Sequence, residues 1–140
     1  MSKVAVVYWS GTGNTEAMAM AVAEGAKGNG AEVSVIPAAC FSAEEIEDYA
    51  SIAFGCPAMG AEQLEESEFE PMFIPCESRL KGKRVALFGS YGWGDGEWMR
   101  SWESRCNDDG ANLACESVIC NEAPDDDALA ACRELGASLA

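Results

Sequence analysis

The chain has 140 residues, 24 acidic against 9 basic side chains, a net charge of −15 and no histidine. That length suits one domain with a core large enough to need no covalent staples. The charge argues against nucleic acid and anionic membranes as partners, and the missing histidine removes Ser-His and Cys-His catalysis and the commonest transition-metal ligand.

The first predicted strand is Lys3 to Tyr8, apolar nearly throughout, as in a strand covered on both faces of a parallel sheet. Ser10-Gly11-Thr12-Gly13-Asn14-Thr15 follows directly, and a helix is predicted from Asn14, with Met18, Ala21, Val22 and Gly25 on one face. Asn29-Gly30 stops it. Glu32 to Ile36 alternates as a second strand, and Ser42 followed by Glu45 signals a capped short helix through Tyr49. Ser51 to Gly55 is a third, buried strand. The loop Cys56-Pro57-Ala58-Met59-Gly60-Ala61-Glu62 and an acidic stretch come next.

Phe69, Met72, Phe73, Cys76 and Leu80 then trace a helical stripe. Pro75, four residues after Pro71, predicts a kink there or a helix that effectively begins near Pro75. Arg84 to Gly89 is the fourth strand, followed by a second glycine-rich loop from Ser90 to Gly96. Trp98, Trp102 and Cys106 share one face of the next helix, which Asp109-Gly110 ends. Leu113 to Cys120 contains the fifth strand, and Asp125 caps a last helix carrying Leu129, Cys132, Leu135 and Leu139.

Strands alternating with helices imply a parallel sheet with right-handed crossovers and helices on both faces. In such a sheet the loops after the strand C-termini share one edge, where ligands bind. The loop from Ser10 to Thr15 joins a buried strand to a helix N-terminus, where free N–H groups and the helix dipole favour an anion. Three hydroxyls and an amide add neutral donors, and no Lys or Arg is present. It is neither a Walker A loop nor a complete dinucleotide fingerprint, because Glu16 stands where the third glycine would. A methionine in a core and a tryptophan on a surface loop are ordinary taken singly. Met59 and Trp93 meeting at the edge that carries the phosphate loop point to a flat, partly apolar ligand with a phosphate tail.

The seven cysteines are odd in number and form no Cys-x-x-Cys pair, so they read as reduced, mostly buried thiols rather than zinc ligands or a redox dithiol. No run of 18 apolar residues and no signal-peptide pattern is present, which predicts a cytoplasmic location.

Ser10-Gly11-Thr12-Gly13-Asn14-Thr15, Pro57-Ala58-Met59-Gly60 and Gly89-Ser90-Tyr91-Gly92-Trp93-Gly94 together resemble the three FMN-binding loops of the short-chain bacterial flavodoxins. The resemblance extends over nearly the whole chain, without the fifth-strand insertion of the long-chain members. It implies a flavodoxin-like three-layer fold over residues 1–140, with a five-stranded parallel sheet in the order 2-1-3-4-5. It also implies non-covalent FMN and a low-potential one-electron carrier, a monomer, shuttling between semiquinone and hydroquinone for redox proteins with basic docking faces. No catalytic residue is implied.

By the same resemblance, Ser10, Thr12, Asn14 and Thr15, with the Gly11 and Gly13 amides, bind the phosphate. Trp93 stacks on the flavin and Met59 lies against its other face. Gly60 is the redox switch, its peptide flipping so that a carbonyl accepts from flavin N5–H, and Glu62 accepts from N3. Ala58, Ala61, Ser90, Tyr91, Gly92, Gly94 and Asn121 complete the ring and ribityl contacts. Ala61 departs from the family, where Asp, Asn or Ser often supplies a side-chain oxygen to the turn. Glu62, Glu65 and Glu66 flank the ring loop and disfavour added negative charge, which predicts a low second potential. The alternative is a flavin-dependent quinone or nitro reductase on the same fold. A non-redox phosphate-binding module is a third reading.

Overall fold

The computed structural model describes residues 2–140. Its strands are β1 (Lys3–Tyr8), β2 (Glu32–Pro37), β3 (Ser51–Gly55), β4 (Arg84–Tyr91), β5 (Asn112–Leu113) and β6 (Val118–Asn121). Its helices are α1 (Asn14–Gly28), α2 (Phe69–Glu77), α3 (Glu97–Asp108) and α4 (Asp126–Leu139). The sheet runs β2-β1-β3-β4-β5, with β6 also on β4, and every pairing is parallel. The predicted order is therefore the observed one.

Parallel strands cannot be joined by tight hairpins, so each crossover carries a helix back over one face. The period of two in a strand then divides the core. Val4, Val6, Ala53, Ala86 and Phe88 face α1 and α4, while Ala5, Val7, Ile52, Phe54, Val85 and Leu87 face α2 and α3. Both sets are buried, which is why β1, β3 and β4 read as unbroken apolar runs.

The two faces pack differently. Under α2 and α3, aromatic rings fill the space: Phe54 meets Phe73 edge-on at 5.2 Å between centroids, and Phe69 meets Trp102 edge-on at 5.4 Å. Arg105 of α3 pairs with Glu70 and Glu77 of α2 and lies 4.9 Å from the centre of the Phe73 ring. On the other face, small residues bring backbones together. A Cβ on Gly25 of α1 would lie 1.9 Å from the carbonyl oxygen of Arg133, and one on Gly136 of α4 would lie 1.9 Å from that of Val22. The helices touch main chain to main chain.

Three predicted elements differ in detail. The segment after Ser42 is a 3₁₀ helix over Ala43–Asp48, with the Glu45 carboxylate accepting the Ser42 N–H at 2.9 Å as the capping signal implies. The helix with two prolines starts at Phe69, not near Pro75, and continues through Pro75 to Glu77. Pro71 lies in its first turn, where no intrahelical donor is needed, and burial of Phe69, Met72, Phe73 and Cys76 outweighs the one bond lost at Pro75. The fifth strand is split. Leu113 pairs with Val85 and Val118 with Phe88, so five steps of chain span three steps of β4 and the two extra residues leave the ladder. Among the described residues no helix is long and apolar enough to cross a membrane.

The glycine contact gives a test. Gly136→Ala would gain about 1 kcal/mol of helix propensity, yet its methyl group would collide with a backbone carbonyl that cannot rotate away. Overpacking of this kind costs about 1–3 kcal/mol or more, so net destabilisation is expected in urea unfolding. A variant as stable as the parent would show that α1 and α4 can separate freely.

Candidate functional site

The site is built where the parallel strands end. Beyond β1, the Trp9 N–H still donates to the Gly55 carbonyl at 3.0 Å, and the chain then turns through Ser10–Gly13 into α1. The Ser10 hydroxyl organises this turn by accepting the N–H groups of Gly13 at 3.1 Å and Glu16 at 3.2 Å. Thr15 is buried, and its hydroxyl lies 3.0 Å from that of Ser90, also buried, at the end of β4. The Ser90 N–H reaches the same Thr15 oxygen at 3.4 Å. One hydroxyl pair thus joins the first loop to the third.

The second loop is sewn to β4 by two backbone bonds, Cys56 N–H to Phe88 and Ala58 N–H to Ser90, at 3.1 and 3.0 Å. Its tip closes on itself. Met59 and Gln63 exchange backbone bonds of 2.8 and 2.9 Å around Gly60, Ala61 and Glu62. Within that turn Gly60 holds φ 53° and Glu62 also holds φ 53°. The left-handed region suits glycine and costs an L side chain about 1–2 kcal/mol, so Glu62 is held there by its contacts. Its carboxylate accepts the Glu97 N–H at 3.1 Å, at the N-terminus of α3 where the helix dipole favours an anion. It also lies against Gly94. Glu62 therefore fastens the ring loop to the third loop.

The loops enclose a cavity of about 500 Å³, within the range of cofactor sites. Ser10, Gly11, Thr12, Asn14 and Thr15 line one part. Ala58, Met59, Ser90, Tyr91 and Gly92 line the rest, with Trp9, Pro57, Glu122 and Ala123. Of the predicted site residues, ten lie in this wall. Gly13, Gly60, Ala61, Glu62, Trp93, Gly94 and Asn121 lie outside it, and Trp93 stands 63% exposed on the third loop. Asn121 acts from behind: its side-chain amide donates to the Tyr91 carbonyl at 3.4 Å, and the Glu122 N–H donates to the same oxygen at 2.7 Å.

Trp9 and Ala123 belong to the wall without any expectation for them, and Pro57 and Glu122 without an expected contact, although the segments Pro57–Gly60 and Asn121-Glu122 carry the resemblance. An aromatic residue at the end of an aliphatic strand, immediately before the glycine loop, is the signal that marks Trp9. No local signal marks Glu122, whose φ of 58° arises from the tertiary contact with Tyr91.

The donor set matches FMN in kind. Hydroxyls, an amide and a helix N-terminus suit a phosphate, while Met59 and Tyr91 offer apolar surface for a ring. No Lys or Arg lines the cavity, and Glu122 is its one ionisable carboxylate.

Glu65 departs from the expected acidic collar. It is buried, and its carboxylate accepts the N–H groups of Ser67, Glu68 and Phe69 at 2.8, 2.7 and 2.9 Å, together with the Ser67 hydroxyl. Burial alone would push its carboxyl up, but the Ser67 hydroxyl and these backbone donors outweigh burial and hold it below the ordinary value. It caps the start of α2. Its stabilising effect is therefore full at neutral pH and is lost as pH falls through its lowered value. The Glu65 N–H in turn reaches Cys56 Sγ at 3.4 Å. Burial pushes the Cys56 thiol far above its ordinary value, so it is a protonated packing group rather than a thiolate.

The family model described as Flavodoxin matches residues 6–136. The chain is 48% identical over 140 residues, 98% of each sequence, to the flavodoxin of Megasphaera elsdenii. It is 45% identical over 135 residues to that of Clostridium beijerinckii, covering 96% of this chain and 97% of the relative. The solution structure of two-electron reduced Megasphaera elsdenii flavodoxin superposes with a TM-score of 0.89 at 46% identity, covering 97% of both chains.

The Glu65 cap predicts a measurable cost. Glu65→Ala leaves three N–H groups at the head of α2 without their acceptor, and about 2–4 kcal/mol of stability is expected to be lost in urea unfolding at pH 7. A loss under about 0.5 kcal/mol would show that water replaces the carboxylate.

Proposed function

The chain belongs to the flavodoxin family and is an FMN-binding electron carrier, and we propose that it works at low potential with FMN held across the three loops. What supports the reading is the single cavity in which the hydroxyls at the head of α1 and the apolar surface of Met59 and Tyr91 meet without a cation. Bound FMN supplies one-electron redox chemistry. The residues of the chain bind it, orient it and set the electrostatic cost of its charge.

Ser10, Thr12, Asn14 and Thr15, with the Gly11 and Gly13 N–H groups, would hold the phosphate through neutral donors. Met59 and Trp93 would cover the ring from its two sides, and Glu62 would accept a hydrogen bond from N3–H. A carboxylate has enough lone pairs to accept that bond and keep the Glu97 N–H. Ala58, Ala61, Ser90, Tyr91, Gly92, Gly94 and Asn121 complete the frame. Gly60, already at φ 53°, would let the turn re-aim a carbonyl toward the ring. With no Lys or Arg in the wall, added negative charge meets no compensating partner, which lowers the potential for the second electron.

The partners would be redox proteins with basic docking faces, because a chain of net charge −15 attracts them and repels its own copies, which favours a monomer. The seven cysteines are free and three of them are half-buried or exposed, which fits the reducing cytoplasm. The reductase alternative is not favoured: the relatives matched over almost their full length are flavodoxins.

An anaerobic reductive titration of the FMN-loaded chain tests the reading. Two separated one-electron potentials are expected, and a single unresolved two-electron step would overturn it. In Gly60→Ala the two potentials are expected to move closer together, because a methyl group hinders re-aiming of a turn whose residue lies in the left-handed region. Unchanged potentials would remove Gly60 from the role. Trp93→Ala is expected to raise the FMN dissociation constant about tenfold through lost stacking, and an unaltered constant would show that Trp93 does not cover the ring.

A further inference from the structure

The phosphate loop has a second support that its own sequence does not contain. The Trp9 indole N–H donates to the Glu68 carboxylate at 2.9 Å, across 59 residues of chain. The far edge of the indole lies against the loop: a Cβ on Gly11 would be 3.0 Å from Trp9 Cη2. Trp9 faces the three-loop cavity on one side and a second cavity of about 330 Å³ on the other, the latter bordered by Tyr8, Glu16, Ala38 and Glu68. Ser10 and Gly11 border both cavities with Trp9, so the indole braces the loop at the place where the two cavities adjoin.

Glu68 is well placed to hold that brace. Its backbone N–H is fixed by Glu65 at 2.7 Å, and Glu65 is fixed by Cys56 at the end of β3. The exposed side chain gives up rotamer freedom to make a single bond to an indole. Without the bond the indole can turn about its two side-chain torsions and leave Gly11 without the surface it rests on.

We propose that Glu68 is a positioning residue for the phosphate end of the site. It holds the Trp9 indole as the wall of the Ser10–Thr15 loop, so that tight binding of a phosphorylated ligand depends on the pair. The proposal rests on the reading that this loop takes the FMN phosphate. Glu68 also brings a negative charge toward an anion, an opposing effect that Glu68→Gln removes while keeping an oxygen acceptor for the indole.

The test compares dissociation constants of FMN and of riboflavin, which lacks the phosphate, for the full-length apoprotein and its variants. The unsubstituted chain is expected to prefer FMN. Glu68→Ala should weaken FMN about 3- to 10-fold, the effect of one hydrogen bond, and leave riboflavin unchanged. Glu68→Gln should bind FMN at least as tightly as the unsubstituted chain. Trp9→Phe should match Glu68→Ala, and the double variant should be no weaker than either, because both remove one contact. An unchanged FMN constant in Glu68→Ala, an equal loss for both ligands, or failure of Gln to restore binding overturns the proposal. If the unsubstituted chain binds both ligands equally, the phosphate-loop reading itself fails and the proposal falls with it.

Discussion

Burial of the central strands on both faces is the constraint from which the rest of this molecule follows. β1, β3 and β4 have no side that meets water, so they carry aliphatic and aromatic side chains at consecutive positions. Irregular backbone and polar groups collect where these central strands end and in the split outer strand. Parallel order places the exits of β1, β3, β4 and β6 on one edge, and that edge is the site. Two different packings hold the layers: interlocked aromatic rings beneath α2 and α3, and backbone contact through Gly25 and Gly136 between α1 and α4.

On the proposed reading the site joins two requirements that ordinarily conflict: an anion would be bound, while the environment would disfavour further negative charge on the attached ring. Lys or Arg in the wall would serve the first and defeat the second. Hydroxyls and a helix N-terminus supply directed donors with only a fractional charge that fades within a turn. Acidic groups remain around the loops without filling the cavity: Glu62 is turned to the head of α3, and Glu65 to that of α2.

Those carboxylates are structural as well as electrostatic. Glu62 links the second loop to the third, the Thr15–Ser90 hydroxyl pair links the third to the first, and the chain Cys56–Glu65–Glu68–Trp9 closes the circuit from the second back to the first. Loops that would each be mobile alone are restrained by their neighbours. The tip at Gly60 is closed by its own Met59–Gln63 bonds, and Glu62 ties it to the head of α3. Such a restrained frame suits a carrier, because preorganisation limits what must move with each electron.

Features that depend on local rules could be read from the order of residues alone. Lys3–Tyr8 was legible from its apolar run, the head of α1 from Asn14, the cap of α4 from Asp125, whose carboxylate accepts the Ala128 N–H at 2.8 Å, and the strand order from the family motifs. Five wall residues between Ser10 and Thr15 were legible from a glycine and hydroxyl loop at a helix N-terminus, and Ala58, Met59, Ser90, Tyr91 and Gly92 from the resemblance of their loops to the family's. Tertiary structure decided what depends on partners far along the chain. The stripe through Pro75 is helical from Phe69 because its apolar face is buried under β3, and β5 and β6 are split because β4 fixes the register at Val85 and Phe88. Glu65 turns inward, Glu62 reaches Glu97 and Trp9 meets Glu68 because folding brings those groups together. Periodicity and propensity are properties of neighbouring residues, whereas the direction of a carboxylate is set by whichever donors the packed fold presents to it.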